Sequence, residues 1–82
     1  MEVLPLPLDV TTYLRTHRLE KKFWKQIGLL KNNLHHPSLN TELLEPRHMH
    51  IWSFRIDRKY RASFLFLNPN TIEVLEVNNH YQ

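Results

Sequence analysis

The stretch HIWSFRIDRKYRASF, residues 50–64, decides the architecture. From Ile51 the apolar positions alternate. Trp52, Phe54 and Ile56 point one way, and Ser53 and Arg55 the other, the two-residue period of a half-buried strand. The polar triplet Asp57-Arg58-Lys59 reads as a turn. Tyr60, Ala62, Phe64 and Phe66 carry the same apolar face onward when Phe54 pairs with Ala62. That register sets Arg55 directly opposite Arg61, and like charges facing each other across a strand pair destabilise it. The placement predicts an anion held between the two guanidinium groups, with a nucleic-acid phosphate as the first candidate.

Outward from this hairpin the signals change. Asn68-Pro69-Asn70 is a second turn, and TIEVLEV, residues 71–77, a third strand. Upstream, Leu19, Phe23, Ile27, Leu30 and Leu34 recur every three or four residues and form the apolar stripe of a helix, widened by Trp24. Lys21, Lys22, Lys25 and Lys31 lie off that stripe. Gly28 inside it costs about 1 kcal/mol relative to Ala. Asn32, Asn33 and Pro37 end it. A shorter helix precedes it, with Asp9 as N-cap and Val10, Tyr13 and Leu14 on one face. A break is expected near His17-Arg18. Pro5 and Pro7 cannot donate to a ladder, so any strand in residues 1–7 is either brief or at a sheet edge. Residues 35–50 read as an irregular connection with small ordered pieces, punctuated by Pro46. The expected fold class is α+β, with two N-terminal helices packed on an antiparallel β-meander and a short N-terminal edge strand. Eighty-two residues suffice for a single domain spanning 1–82.

Composition narrows the function classes. No cysteine is present, which excludes a disulfide framework and thiolate metal ligation. No apolar run approaches the roughly 20 residues that cross a bilayer. The start, MEVLPLPLDV, lacks the basic region and long apolar stretch of a signal peptide, so a cytoplasmic protein is expected. The net charge of +3 permits polyanion binding. Its distribution says more: Arg47, Arg55, Arg58, Lys59 and Arg61 fall within fifteen residues. A second group, Arg15, Arg18, Lys21, Lys22 and Lys25, reads first as the solvated face of the helices. His48-x-His50 on a strand, or His35-His36, could in principle chelate a metal. No acidic or thiol ligand stands ready to complete either site, so no metal and no cofactor are expected.

Three segments carry a family resemblance: LLKNNLHHPSLNTELLE, then IWSFRIDRKYRASF, then IEVLEVNNHYQ. Leu39 and Leu44 fit a leucine spacer; Trp52, Arg55 and Ile56 fit one strand; Tyr60, Arg61 and Phe64 fit the next. This ordered series, over roughly residues 13–81, resembles the RelE/ParE superfamily of toxins from toxin–antitoxin pairs. No single motif in it is specific; the order is what discriminates. The closing His80-Tyr81 resembles the ending of YoeB-like members. The resemblance implies a RelE-like fold and a toxin that cuts mRNA, commonly at the ribosome. It also implies a cognate antitoxin, with mRNA and the ribosome as further partners and no membrane.

Metal-free RNA cleavage needs a base for the 2′-hydroxyl proton, cations for the charge on the phosphorane, and an acid for the departing 5′-oxygen. The resemblance gives Arg61 the scissile phosphate and Arg55 a supporting basic role. It makes His80 the general acid, and an unperturbed imidazole pKa of ~6.5 suits that task. Tyr81 would stack on a base or orient the phosphate. Arg47, Arg58, Lys59 and His50 are the candidate RNA contacts around them. The general base stays open among Glu42, Glu45, His48 and His50, because Leu44-Glu45-Pro46 departs from the Leu-x-Gly common in the family. The plainer alternatives are surface ion pairs of the arginines with Asp57, Glu73 or Glu76, and a frayed chain end for His80. Two other functions compete: a ParE-like inhibitor that binds DNA gyrase without cutting RNA, and an interaction domain that has lost toxicity.

Overall fold

The computed structural model describes residues 1–79; His80, Tyr81 and Gln82 lie outside the described residues. The chain runs β1 (Glu2–Val3), α1 (Leu8–Thr16), α2 (Glu20–Asn32), a 3-10 turn (Pro37–Leu39), β2 (Glu42–Leu43), a second 3-10 turn (Arg47–Met49), β3 (Trp52–Arg55), β4 (Arg61–Asn68) and β5 (Thr71–Asn78). The five strands form one sheet in the order β1-β5-β4-β3-β2. This is the expected α+β arrangement, with β3, β4 and β5 as the meander.

The hairpin register is the one read from the alternation: Phe54 faces Ala62 and Arg55 faces Arg61. Asp57 holds the turn. Its carboxylate accepts the backbone N–H groups of Lys59 and Tyr60, each at 2.9 Å, and pairs with Lys22 at 3.1 Å. Burial raises the Asp57 pKa, but those two N–H groups and Lys22 outweigh it and hold the carboxyl below its ordinary value.

Strict alternation would turn Glu76 toward the core after Ile72 and Val74. Instead the β4–β5 pairing slips at Leu75: Phe64 faces Val74 while Ser63 faces Glu76. One extra residue on β5 restores the apolar face, so Val77 is buried and Glu76 exposed.

On the buried face the Phe54 and Phe64 rings pack tilted against each other at 5.9 Å, and Phe23 reaches Phe54 at the same distance. Leu14, Phe23, Ile27, Leu30, Leu39 and Ile72 complete the centre, each about 1% exposed or less. The Leu19-to-Leu30 stripe therefore points where its period predicts, and Leu34 is half-buried at its end. Trp24 does not widen the buried stripe. It stands 48% exposed, edge-on to Phe23 at 5.0 Å, because the residue after Phe23 is rotated ~100° off the stripe.

Two helix boundaries correct the expectations. Asp9 is not the N-cap of α1; Pro7 is, with an extended backbone, and Asp9 sits in the first turn, where its charge complements the helix dipole. The break at His17-Arg18 is real and takes a left-handed Arg18 (φ 57°), with Leu19 N–H donating to the Leu14 carbonyl at 2.8 Å. That reversal lets Leu19 enter the core before α2 begins.

β1 pairs in parallel with β5, closing one edge, and Glu2 N–H donates to the Asn70 carbonyl at 2.7 Å. Pro5 and Pro7 stop it after two residues, as donors are lost. On the other edge β2 pairs antiparallel with β3, Glu42 facing Ser53. No described helix is long and apolar enough to cross a membrane.

Candidate functional site

The solvent-facing side of β3, β4 and β5 forms a groove of about 440 Å³. Leu44, Ile51 and Leu75 supply apolar walls, and Ser53, Arg61, Ser63, Glu76 and Asn78 supply polar groups. Small residues make this room: Ser53 and Ser63 face each other across β3 and β4.

Arg61 is the buried cation of the groove, 5% exposed. Its Nε donates to Ser53 Oγ at 3.1 Å, and its Nη2 donates to Ser53 Oγ at 2.8 Å and to the Ser53 carbonyl at 3.2 Å. Nη2 also donates to the Asn40 carbonyl at 2.6 Å. Asn40 reaches this position because it ends the first 3-10 turn in a left-handed conformation (φ 45°) that asparagine tolerates. A guanidinium taken out of water needs such oxygens, since burying an unsatisfied charge is costly. The result is a permanent cation with one defined orientation beside an open groove, the arrangement that stabilises developing negative charge.

Three further groups share this neighbourhood by register. Glu42 faces Ser53, the serine that Arg61 grips, so its backbone stands beside the same face. Asn78 faces Arg61 across β4 and β5, and its Nδ2 donates to Glu76 Oε1 at 2.8 Å. Glu45, Arg47, His48 and His50 ride on the loop between Leu44 and Ile51. Its two ends are tied by the Leu44 N–H to Ile51 carbonyl bond at 2.8 Å, and both ends wall the groove. All four loop residues are exposed.

The structure does not bring every expected residue to the groove. Arg55 faces Arg61 in register but leaves the pair in another direction. It is exposed, and lines a separate concavity with Lys22, Lys25 and Arg58. The two like charges are thus relieved by divergence, with Arg61 turned inward onto Ser53 and Asn40 and Arg55 left exposed over the other concavity. Lys59 lies on the turn, its Nζ 5.6 Å from the Tyr60 ring centre. His80 and Tyr81 fall outside the described residues. Of the ion pairs weighed as alternatives, Asp57 binds Lys22 instead of an arginine. His48 and His50 do not share a strand face: His48 is in the second 3-10 turn and His50 is left-handed at its end (φ 56°). Among the described residues no three His, Cys, Asp or Glu side chains gather as metal ligands.

Sequence reading missed Ser53 and Asn40 as the groups that orient Arg61. Ser53 left a trace, a small polar residue two positions before Arg55 on the same strand face. Asn40 left none, because its role depends on a loop crossing from another element.

No protein-family model and no curated protein sequence matches the chain. Solved structures do. A YoeB/ParE toxin from Agrobacterium tumefaciens shares 22% identity with a TM-score of 0.73, over 99% of this chain and 100% of that one. The YoeB dimer from Staphylococcus aureus shares 18% identity with a TM-score of 0.73, over 98% of this chain and 94% of that one. The heterotetrameric YoeB–YefM toxin–antitoxin complex from Staphylococcus aureus gives 18% identity and 0.70 over the same shares. End to end, two helices and a five-stranded sheet with the groove on its open face, this chain has the fold of the YoeB toxins.

Proposed function

We propose that the chain is the toxin of a toxin–antitoxin pair and a metal-independent mRNA endoribonuclease, acting in the cytoplasm at the ribosome. The observation that carries the reading is Arg61: a guanidinium buried in the sheet face, oriented by Ser53 and Asn40, that still lines an open groove. In the proposed reaction a base takes the 2′-hydroxyl proton and the 2′-oxygen attacks the adjacent phosphorus. The bond to the 5′-oxygen breaks, and an acid protonates that oxygen. The products are a 2′,3′-cyclic phosphate and a 5′-hydroxyl. Arg61 neutralises the phosphorane.

Glu42 is favoured as the base over Glu45, His48 and His50, because it faces Ser53 in the sheet while the other three sit on the exposed loop. His80 is the proposed acid, two residues beyond Asn78, the register partner of Arg61. Tyr81 is proposed to assist it. Arg55 is assigned to RNA binding beside Arg58, with Arg47, Lys59 and His50 as outer contacts. A cognate antitoxin is the proposed protein partner, by analogy with the YoeB–YefM complex, and the exposed basic surface suits an acidic segment of it.

The test is cleavage of translated message by Arg61→Ala, Glu42→Gln and His80→Ala, each checked by circular dichroism. Loss of cutting with the fold intact is expected; undiminished cutting in Arg61→Ala and His80→Ala refutes the reading. The competing reading is a ParE-like gyrase inhibitor, since one neighbour bears both names. It predicts blocked supercoiling and no RNA products.

A further inference from the structure

We infer a second phosphate-binding site at the corner where α2 meets the β3–β4 turn, which grips an RNA backbone phosphate away from the Arg61 groove; it rests on the ribonuclease reading. Lys22, Lys25, Arg55 and Arg58 line a concavity of about 350 Å³ there. The acid that lines it, Asp57, is engaged by Lys22 at 3.1 Å and by two backbone N–H groups. The cationic balance therefore lies with Lys25, Arg55 and Arg58, all exposed and without an ion pair to any described residue.

The floor is built. Gln26, 5% exposed, donates through Nε2 to the Arg55 carbonyl at 2.8 Å, to the Ser38 carbonyl at 3.2 Å and to Ser38 Oγ at 3.3 Å. With its oxygen accepting from Gln26, the exposed Ser38 hydroxyl keeps its own proton to donate to a ligand oxygen.

These groups suit a phosphate better than an acidic peptide. A docked peptide strand needs open backbone acceptors, yet the Arg55 and Ser38 carbonyls already receive Gln26. A docked side chain needs an apolar anchor, yet Ile56, the apolar residue of the lining, is 4% exposed. Charge and hydroxyl donors without an aromatic platform are what backbone contacts use, and they position a strand without reading its bases. Because Arg55 and Arg61 are register partners, one RNA strand at the groove mouth has this corner as its next cationic stop.

The experiment is fluorescence anisotropy of the full chain with a 2′-O-methyl RNA oligonucleotide, which cannot be cut, across a salt series. Lys25→Gln/Arg58→Gln is compared with Lys21→Gln/Lys31→Gln, which removes the same charge from α2 outside the concavity. Expected is about ten-fold weaker binding for the first pair at low salt, with the salt slope reduced by about 0.7 for each phosphate no longer neutralised, and a much smaller change for the second. Equal losses in both pairs overturn the site, because they mark general charge alone. Identical binding by wild type and Lys25→Gln/Arg58→Gln also overturns it and leaves the ribonuclease reading standing if Arg61→Ala still abolishes cutting. Wild type that binds polyglutamate but not the RNA, through these same residues, overturns the phosphate assignment in favour of an acidic peptide.

Discussion

Arg55 and Arg61 are register partners on neighbouring strands, yet one is exposed and the other 5% exposed. The difference comes from what each side chain meets. Around Arg61 the sheet carries Ser53, and a loop delivers the Asn40 carbonyl, so the guanidinium has oxygens to turn toward. Around Arg55 stand Lys22, Lys25 and Arg58, and the acid beside them, Asp57, is held by Lys22 and two backbone N–H groups, so the guanidinium stays in water. One arginine becomes a fixed, oriented charge suited to a transition state, and the other part of an exposed basic surface suited to attraction. Sequence type is the same; neighbours decide the job.

The comparison breaks first under substitution of the two arginines. Arg61→Ala should lower single-turnover RNA cleavage by about 10²–10³-fold, the usual cost of losing an oriented donor to developing charge. Arg55→Ala should cost about ten-fold or less, in affinity more than in rate. Arg61→Lys should not rescue, because an ammonium cannot reproduce the fork that holds Ser53 and Asn40 together. Equal effects at both positions would erase the distinction.

Ser53→Ala sharpens the same contrast without touching either charge. It removes the hydroxyl that accepts from Arg61 Nε and Nη2, and should destabilise the chain by about 1–3 kcal/mol in denaturant melts. Cleavage should fall as the guanidinium loses its orientation, while binding of uncut RNA stays close to wild type.

Gly28→Ala separates stability from both sites. Gly28 is exposed in the interior of α2, and a β-carbon there would meet nothing within 4 Å. The substitution should raise stability by about 1 kcal/mol with cleavage and RNA affinity unchanged. The smallest effect concerns Asp57 on the Arg55 side. Its folded pKa is depressed, so the stability it contributes is fully present above the unfolded value near 3.9 and is lost as pH falls through the lower folded value. Asp57→Asn should flatten that acid limb of the stability profile, and thermal melts between neutral and strongly acidic pH would record it.

Much of this is legible in the sequence. The Leu19-to-Leu30 spacing marked α2's buried face, and the alternation from Trp52 to Phe64 marked the hairpin and its register. Pro5 and Pro7 marked an edge strand. These readings succeed because helical and strand periods are properties of contiguous residues, each answering to the same core. Local rules failed where a neighbour was decisive. Asp9 has the chemistry of an N-cap but the chain turns into the helix at Pro7. Trp24 has the bulk for the core but the wrong angle. His48 and His50 have strand spacing but lie in a 3-10 turn and a left-handed residue.

By itself, then, the chain determined its elements, its hairpin pairing and the opposition of two arginines, since these follow from patterns a few residues long. Only the tertiary structure decided that β1 runs parallel to β5, that Asn40 and Ser53 turn Arg61 inward, and that Gln26 ties α2 to Ser38 and Arg55. Apart from Ser53, which is eight residues from Arg61 in the same hairpin, those pairings join residues that lie far apart along the chain. Which distant groups satisfy a buried donor or close a sheet edge depends on the whole packing, and no local pattern encodes it.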